Sequence, residues 1–185
     1  MVHFLIPLLL AFLCCIASAF TAAYSRTLGR RGGQILSMVL RDVLGLPLMG
    51  WAFVLAARRP APRLLGASWV GDAAGALLLA AGAALIIWAL AAVRWRAAAP
   101  SVGDALASTG PYARVRHPLY DGVFLELAGA AILRPTWPLL LSCLLSAGWI
   151  LIQARVEEHD LLRRVCGYAN YVVQVPPFLP RRGGP

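Results

Sequence analysis

The 185-residue sequence contains no lysine, and all 17 of its basic residues are arginines. Charge of either sign is scarce: 14% of residues are charged, against about a quarter in an average soluble domain. Hydrophobic residues make up 60% of the chain and the mean hydropathy is +0.72. A soluble fold of this size has no interior large enough to hide so much apolar surface. The composition therefore predicts an all-α, polytopic membrane protein.

Strand-like alternation and a G-x-G-x-x-G loop are also missing, which excludes a soluble βαβ nucleotide fold. The net charge of +9 does not indicate nucleic acid, because the arginines stand in short clusters between apolar runs, where they meet lipid headgroups. The four cysteines form no CxxC pair and no zinc-like spacing with histidine. We expect membrane lipids as partners, and neither nucleic acid nor a metal.

Five apolar segments are candidate membrane spans, given that a spanning helix needs about 20 apolar residues. They cover residues 4–25, 34–57, 73–93, 118–133 and 135–154. The fourth has only 16 residues and contains Asp121 and Glu126, so we expect it to form a helical hairpin with the fifth. Small residues in the third predict close helix packing. We predict one domain with scaffold spans in 1–97, a functional region in 98–180 and a tail in 181–185.

Arginine counts predict the orientation of these spans. With the N-terminus outside, the inner segments carry 3, 4 and 5 arginines, and the outer loops together carry 4. The third loop and the C-terminal segment are therefore expected in the cytosol. Ala17-Ser18-Ala19 resembles a signal-peptide cleavage site, but the first ten residues hold no Arg or Lys, so we expect a retained span. The composition, rich in Ala and Arg, suggests a bacterial inner membrane.

One ionisable pair, Arg41-Asp42, interrupts the second span. Adjacent residues on a helix point about 100° apart, so we do not expect these two side chains to pair face to face. Ionisable groups inside a membrane commonly serve a function, although Arg41 is close enough to the cytosolic end to snorkel. A role in a substrate site and a purely structural role both remain open.

Polar residues concentrate in two motifs of the functional region. In the first, Arg116-His117-Pro118-x-Tyr120-x-Gly122, the proline suits the first turn of a helix, so His117 is expected at a helix N-terminus that attracts anions. The second is the run from Arg155 to Asp160, where the last span leaves the membrane. On local spacing alone, Glu158 is expected to pair with Arg163 or Arg164 on a solvated helix end, whereas two polar motifs on the same face of a small bundle favour a shared site.

Together with Gly110-Pro111-Tyr112, these motifs resemble the isoprenylcysteine carboxyl methyltransferase family and the related phospholipid N-methyltransferases. The likeness continues in Gly167-Tyr168-x-x-Tyr171 and in Val175-Pro176-x-Phe178-x-Pro180, and it covers about residues 104 to 180. Two positions depart from the family pattern. Gln153 stands where the family often has an arginine, and the family's Phe-Gly-x-x-Tyr is here the shorter Cys166-Gly167-Tyr168.

The resemblance implies an S-adenosylmethionine-dependent methyltransferase that acts at the cytosolic membrane interface. The implied acceptor is lipophilic: an isoprenylcysteine-type carboxylate, or a small lipid carboxyl, thiol or amine. The implied catalytic residues are His117, Glu157 and Arg155. The implied cofactor-binding residues are Ala105, Leu106, Ala107, Tyr112, Arg116, His117, Pro118, Leu119, Tyr120, Glu157 and Glu158.

Two other functions are compatible with the same residues. Some sterol reductases share this C-terminal architecture and bind NADPH, whose 2′-phosphate Arg114, Arg163 and Arg164 would neutralise. A non-catalytic membrane protein that keeps a family-like pocket is the other alternative. Binding of S-adenosylhomocysteine rather than NADPH separates the methyltransferase from the reductase.

Overall fold

The computed structural model describes residues 2–66, 68–93 and 106–180. In these ranges the chain is helical and has no strand beyond an isolated bridge between Arg63 and Thr136, which confirms the predicted all-α class. The helices are α1 (Leu5–Ser18), α2 (Thr21–Met38), a π-helical segment (Val39–Gly45), α3 (Leu46–Arg58), α4 (Trp69–Val93), a 3₁₀ turn (Gly110–Ala113), α5 (Pro118–Leu133), α6 (Trp137–Arg164) and α7 (Tyr168–Gln174).

Among the described residues, three helical stretches are long and apolar enough to cross a membrane: Thr21–Arg58, Trp69–Val93 and Trp137–Arg164. The last two coincide with the predicted third and fifth spans. The predicted first span is interrupted, because α1 ends at Ser18 and α2 begins at Thr21. The N–H groups of Ala19 and Phe20 bond to carbonyls three residues back, which tightens the last turn and ends the helix.

The expectation that Arg41 and Asp42 do not pair is wrong. Arg41 Nε lies 2.8 Å from Asp42 Oδ1, and its Nη2 lies 3.1 Å from Oδ2. Both residues belong to the π-helical segment, whose wider turn reduces the angle between successive side chains. The long arginine side chain can therefore fold back onto its neighbour and satisfy both charges locally.

Helices α4 and α5 pack at very short range through glycines. A Cβ added at Gly82 would lie 2.6 Å from the carbonyl oxygen of Gly122, and one at Gly129 would lie 2.7 Å from that of Gly75. Only glycine permits such an approach, and close backbone contact is a main source of helix association in lipid. This agrees with the close packing predicted for the third span.

A second packing unit joins α1, α3 and α6 around a buried cluster of Leu8, Phe12, Cys15, Ala52, Trp149 and Ile150. Within it the rings of Phe12 and Trp149 stack with centroids 5.0 Å apart. Tyr120 and Phe124 of α5 pack against the same cluster. The end of α1, the start of α5 and the end of α6 are thus held together at one end of the bundle.

We expect Gly82→Ala to destabilise the protein by about 1–3 kcal/mol, because the added methyl group must push α4 away from α5. The measurement is the midpoint of unfolding in a denaturing-detergent titration. Gly148→Ala on α6 is the matched control, since a Cβ there meets no atom within 4 Å. An equal midpoint for the two variants would contradict the proposed role of the α4–α5 contact.

Candidate functional site

The first polar motif lies where the chain enters α5. Pro118 is the first residue of the helix and His117 occupies its N-cap, as the sequence predicts. The preceding 3₁₀ turn begins at Gly110, whose φ of +62° favours glycine. Gly-Pro therefore ends the loop, and Pro118 starts the helix because its fixed φ suits the first helical position.

Glu158 on α6 joins this motif by one carboxylate oxygen. Its Oε1 lies 2.8 Å from Arg116 Nε and 2.8 Å from His117 Nε2. The prediction that Glu158 pairs with Arg163 or Arg164 is wrong, because Arg164 Nε instead bonds to Asp160 Oδ2 at 2.6 Å. The side chains of Arg116, His117 and Glu158 are 9%, 6% and 19% exposed, so this ion cluster is largely shielded from water.

Glu157, the neighbouring carboxylate, meets α5 one turn further along. The Tyr120 hydroxyl donates to Glu157 Oε1 at 2.5 Å, and Gln153 Nε2 donates to the same oxygen at 2.9 Å. The structure thus brings together five of the predicted site residues: Arg116, His117, Tyr120, Glu157 and Glu158.

Gln153 is a site residue that the sequence analysis noted only as a departure from the family pattern. It also donates to the Cys15 carbonyl at 3.1 Å, so it links α1 to Glu157. Its side chain is almost completely buried, and its Oε1 has no hydrogen-bond partner within the described part of the chain. The signal available in the sequence was a lone amide one helical turn before Glu157 in an apolar span.

The C-terminal segment, residues 168–180, folds back over the first motif. Arg116 Nη1 donates to the Val172 carbonyl at 2.7 Å and to the Val175 carbonyl at 3.1 Å. The backbone N–H groups of Arg116 and His117 donate to the Pro176 and Pro177 carbonyls at 2.9 and 3.0 Å. Arg116 therefore binds Glu158 and the C-terminal segment at the same time.

Two tyrosines, Tyr112 and Tyr171, also join the C-terminal segment to the turn before α5. The Tyr171 hydroxyl donates to the Tyr112 carbonyl at 2.6 Å. Burial raises the pKa of Tyr171 to about 12, so this hydroxyl stays protonated as a donor at neutral pH. Phe178 then completes an aromatic wall, with its ring centroid 5.6 Å from that of His117 and 5.8 Å from that of Phe124.

The remaining predicted residues lie around this cluster. Leu106 packs against Val165, Tyr168 and Tyr171, Pro118 is buried, and Ala107 and Leu119 are half-buried. Ala105 lies outside the described residues. Arg155 is exposed on α6, and within the described ranges it has no hydrogen bond or ion pair with the cluster. Of the arginines considered for NADPH, Arg114 lies over the Trp88 ring at 5.9 Å.

We expect Arg116→Gln to release the C-terminal segment, because it removes the guanidinium from two carbonyls and from Glu158. Amide hydrogen exchange across Tyr168–Gln174 is the measurement, and we expect it to accelerate at least tenfold, about 1.4 kcal/mol of lost protection. Arg114→Gln is the control, because it removes an arginine two positions away that lies outside the ion cluster. Unchanged exchange in Arg116→Gln would contradict this role.

Comparison with known proteins gives a family match over the same region. A family model described as phospholipid methyltransferase matches residues 70–169, more than half of the chain and including both polar motifs. A nickel-cobalt-cadmium resistance protein of Alcaligenes xylosoxydans xylosoxydans is 33% identical over 79 residues, which are 41% of this chain and 36% of that protein. The match thus spans only about a third of the length of that relative. No solved structure gives a significant match.

Proposed function

The chain belongs to the phospholipid methyltransferase family, and we propose that it transfers a methyl group from S-adenosylmethionine to a lipophilic acceptor. One observation carries the proposal: two motifs some 40 residues apart in sequence meet through Arg116, His117 and Tyr120 on one side and Glu157 and Glu158 on the other. Burying this many ionisable groups beside a membrane is costly, and such groups commonly mark a site.

The residues of this site fit the chemistry of S-adenosylmethionine. Its ammonium group needs acceptors, and the Glu157 carboxylate and the unpartnered Oε1 of the buried Gln153 supply them. Its sulfonium and adenine need aromatic faces, and the His117 ring centroid lies 5.5 Å from that of Tyr120 and 5.6 Å from that of Phe178. When bound, S-adenosylmethionine supplies an electrophilic methyl group. Tyr112, Leu119, and the stretch containing Ala105, Leu106 and Ala107 are proposed to line the rest of its site.

The chain contributes mainly alignment and exclusion of water. The Glu158 contacts fix the Arg116 and His117 side chains, and the C-terminal segment bonds over them. A carboxylate or thiolate acceptor is already ionised and requires no base. An amine acceptor must lose a proton, which the Glu157 carboxylate or the His117 ring would accept. Arg155, exposed on α6, is proposed to contact the polar end of the acceptor.

The acceptor is proposed to enter from the bilayer, because the helices around the site are apolar and expose large hydrophobic side chains. An isoprenylcysteine-type carboxylate, or a small lipid carboxyl, thiol or amine, matches this access route. The excess of arginine at this end of the bundle supports a cytosolic site in a bacterial inner membrane, with the N-terminus outside.

We expect purified protein in detergent to bind S-adenosylhomocysteine and not NADPH in calorimetric titrations. Glu157→Gln should weaken this binding at least tenfold, because a charge-assisted hydrogen bond contributes about 1.5–3 kcal/mol. His117→Ala should weaken it as well. Asp72→Asn serves as the control, since Asp72 lies at the start of α4, where its contact is with Arg63 at 3.8 Å.

Each alternative function predicts a different result in that titration. Tight binding of NADPH alone would replace the methyltransferase with a reductase. Undiminished S-adenosylhomocysteine binding in both Glu157→Gln and His117→Ala would move the cofactor away from this cluster.

The acceptor can be identified by isotope transfer. We expect membranes containing the protein, supplied with S-adenosylmethionine that carries a deuterated methyl group, to accumulate the label in an organic-solvent extract. Mass spectrometry of that extract gives the acceptor, and Glu157→Gln membranes should show at least tenfold less label. Label found solely in water-soluble products would contradict a lipophilic acceptor.

A further inference from the structure

A cleft opens on the opposite side of α6 from Glu158. It is a shallow, partly open depression with a cavity volume of about 20 Å³, between the start of α2 and the last turns of α6. Its lining includes Phe20, Arg26, Val156, His159, Asp160 and Arg163. No part of the proposed methyl-transfer site is among these residues, so the cleft requires its own explanation.

Helical geometry separates the two sites. At about 100° per residue, Val156, His159, Asp160 and Arg163 fall on one face of α6, whereas Glu158 points about 150° away from the middle of that face. The cleft and the ion cluster therefore share a helix but occupy different sides of it. A ligand in the cleft would contact α2 rather than α5.

Asp160, the one carboxylate among the described residues that line the cleft, is already paired. Asp160 Oδ1 accepts the backbone N–H of Ala22 at 2.9 Å, and its Oδ2 accepts Arg164 Nε at 2.6 Å. Its side chain is only 7% exposed, so it presents little negative charge to a ligand. This bond also fixes the start of α2 against α6 and thereby shapes the cleft.

Two guanidinium groups in the cleft have no such compensation. Arg26 and Arg163 are exposed, and neither has a carboxylate partner among the described residues. His159, also exposed, adds a third nitrogen-bearing side chain to the same lining. Guanidinium forks match the planar, bidentate geometry that phosphate and carboxylate oxygens offer.

The level of the cleft in the bundle indicates which anion reaches it. The cleft lies beside the break between α1 and α2, where apolar helix gives way to the arginine-rich start of α2. Phe20 on its rim is 40% exposed, which suits contact with the upper part of an acyl chain. Anionic headgroups concentrate at this level of a membrane and attract arginine.

We propose that this cleft is a phosphate-binding site, separate from the methyl-transfer site, in which Arg26 and Arg163 hold the phosphate group of an anionic ligand. An anionic phospholipid headgroup and free phosphate both carry this chemistry. The proposal does not depend on methyl transfer, because the ligand in the cleft is a bound group and not the acceptor.

The test is calorimetric titration of the full chain in an uncharged detergent with short-chain phosphatidylglycerol, short-chain phosphatidylcholine and inorganic phosphate. We expect phosphatidylglycerol to bind, and the double variant Arg26→Gln/Arg163→Gln to weaken that binding at least tenfold. Rising ionic strength should weaken it as well, because exposed charges are screened. Arg26→Lys/Arg163→Lys keeps the charge but loses the forked geometry, so its affinity should be intermediate.

The matched control is Arg58→Gln/Arg134→Gln, which removes the same charge at the other end of the bundle and should leave binding unchanged. The midpoint of unfolding in a denaturing-detergent titration reports the folding of the cleft variants and should be unchanged. Binding of phosphatidylglycerol but not of inorganic phosphate would identify the ligand as a lipid, and competition by phosphate would identify the phosphate group alone. The proposal is overturned if neither phosphatidylglycerol nor inorganic phosphate binds. It is also overturned if Arg26→Gln/Arg163→Gln and Arg58→Gln/Arg134→Gln lose affinity equally.

Discussion

The rest of the site depends on the contacts that the Glu158 carboxylate makes. This carboxylate holds Arg116 and His117 at one oxygen, with both contacts at 2.8 Å. Arg116 in turn holds the C-terminal segment by two carbonyls. The start of α5, the end of α6 and the C-terminal segment thus meet at one ion cluster. A buried charge whose partner is removed is far more costly than the intact pair is stabilising, so the three segments are constrained to stay together.

Hydropathy predicted α4 and the apolar part of α6 well because uninterrupted apolar runs cover them, although α6 continues to Arg164, beyond the run that ends at residue 154. It did not predict the break at Ala19–Phe20, since no charge, glycine or proline marks that position. There the helix ends through a change in hydrogen bonding. The Cys15 carbonyl receives the Ser18 hydroxyl and the Gln153 amide in place of a helical N–H. Such an end depends on a residue 138 positions away, which no local pattern contains.

The two polar motifs were predictable, whereas the contact between them was only partly so. The start of α5 at Pro118 follows from the chemistry of proline alone. The partner of Glu158 was predicted wrongly, because spacing on one helix considers only neighbours such as Arg163 and Arg164. In the structure Asp160 binds Arg164, and Glu158 contacts Arg116 and His117, which are 42 and 41 residues earlier in the chain. Long-range pairing of this kind requires the packing of α5 against α6.

The length of α6 explains why both candidate sites lie at its C-terminal end. Its 28 residues span about 42 Å at 1.5 Å per residue, whereas the hydrocarbon core of a bilayer is about 30 Å thick. We therefore expect about the last eight residues, beginning near Glu157, to project beyond the hydrocarbon. Ionisable side chains have a low desolvation cost there. A helix that carries them on several faces can contact more than one ligand. Glu157 and Glu158 face the ion cluster with Arg116 and His117, while His159 and Arg163 face the cleft. The same excess length thus supplies polar residues to two separate sides of the bundle.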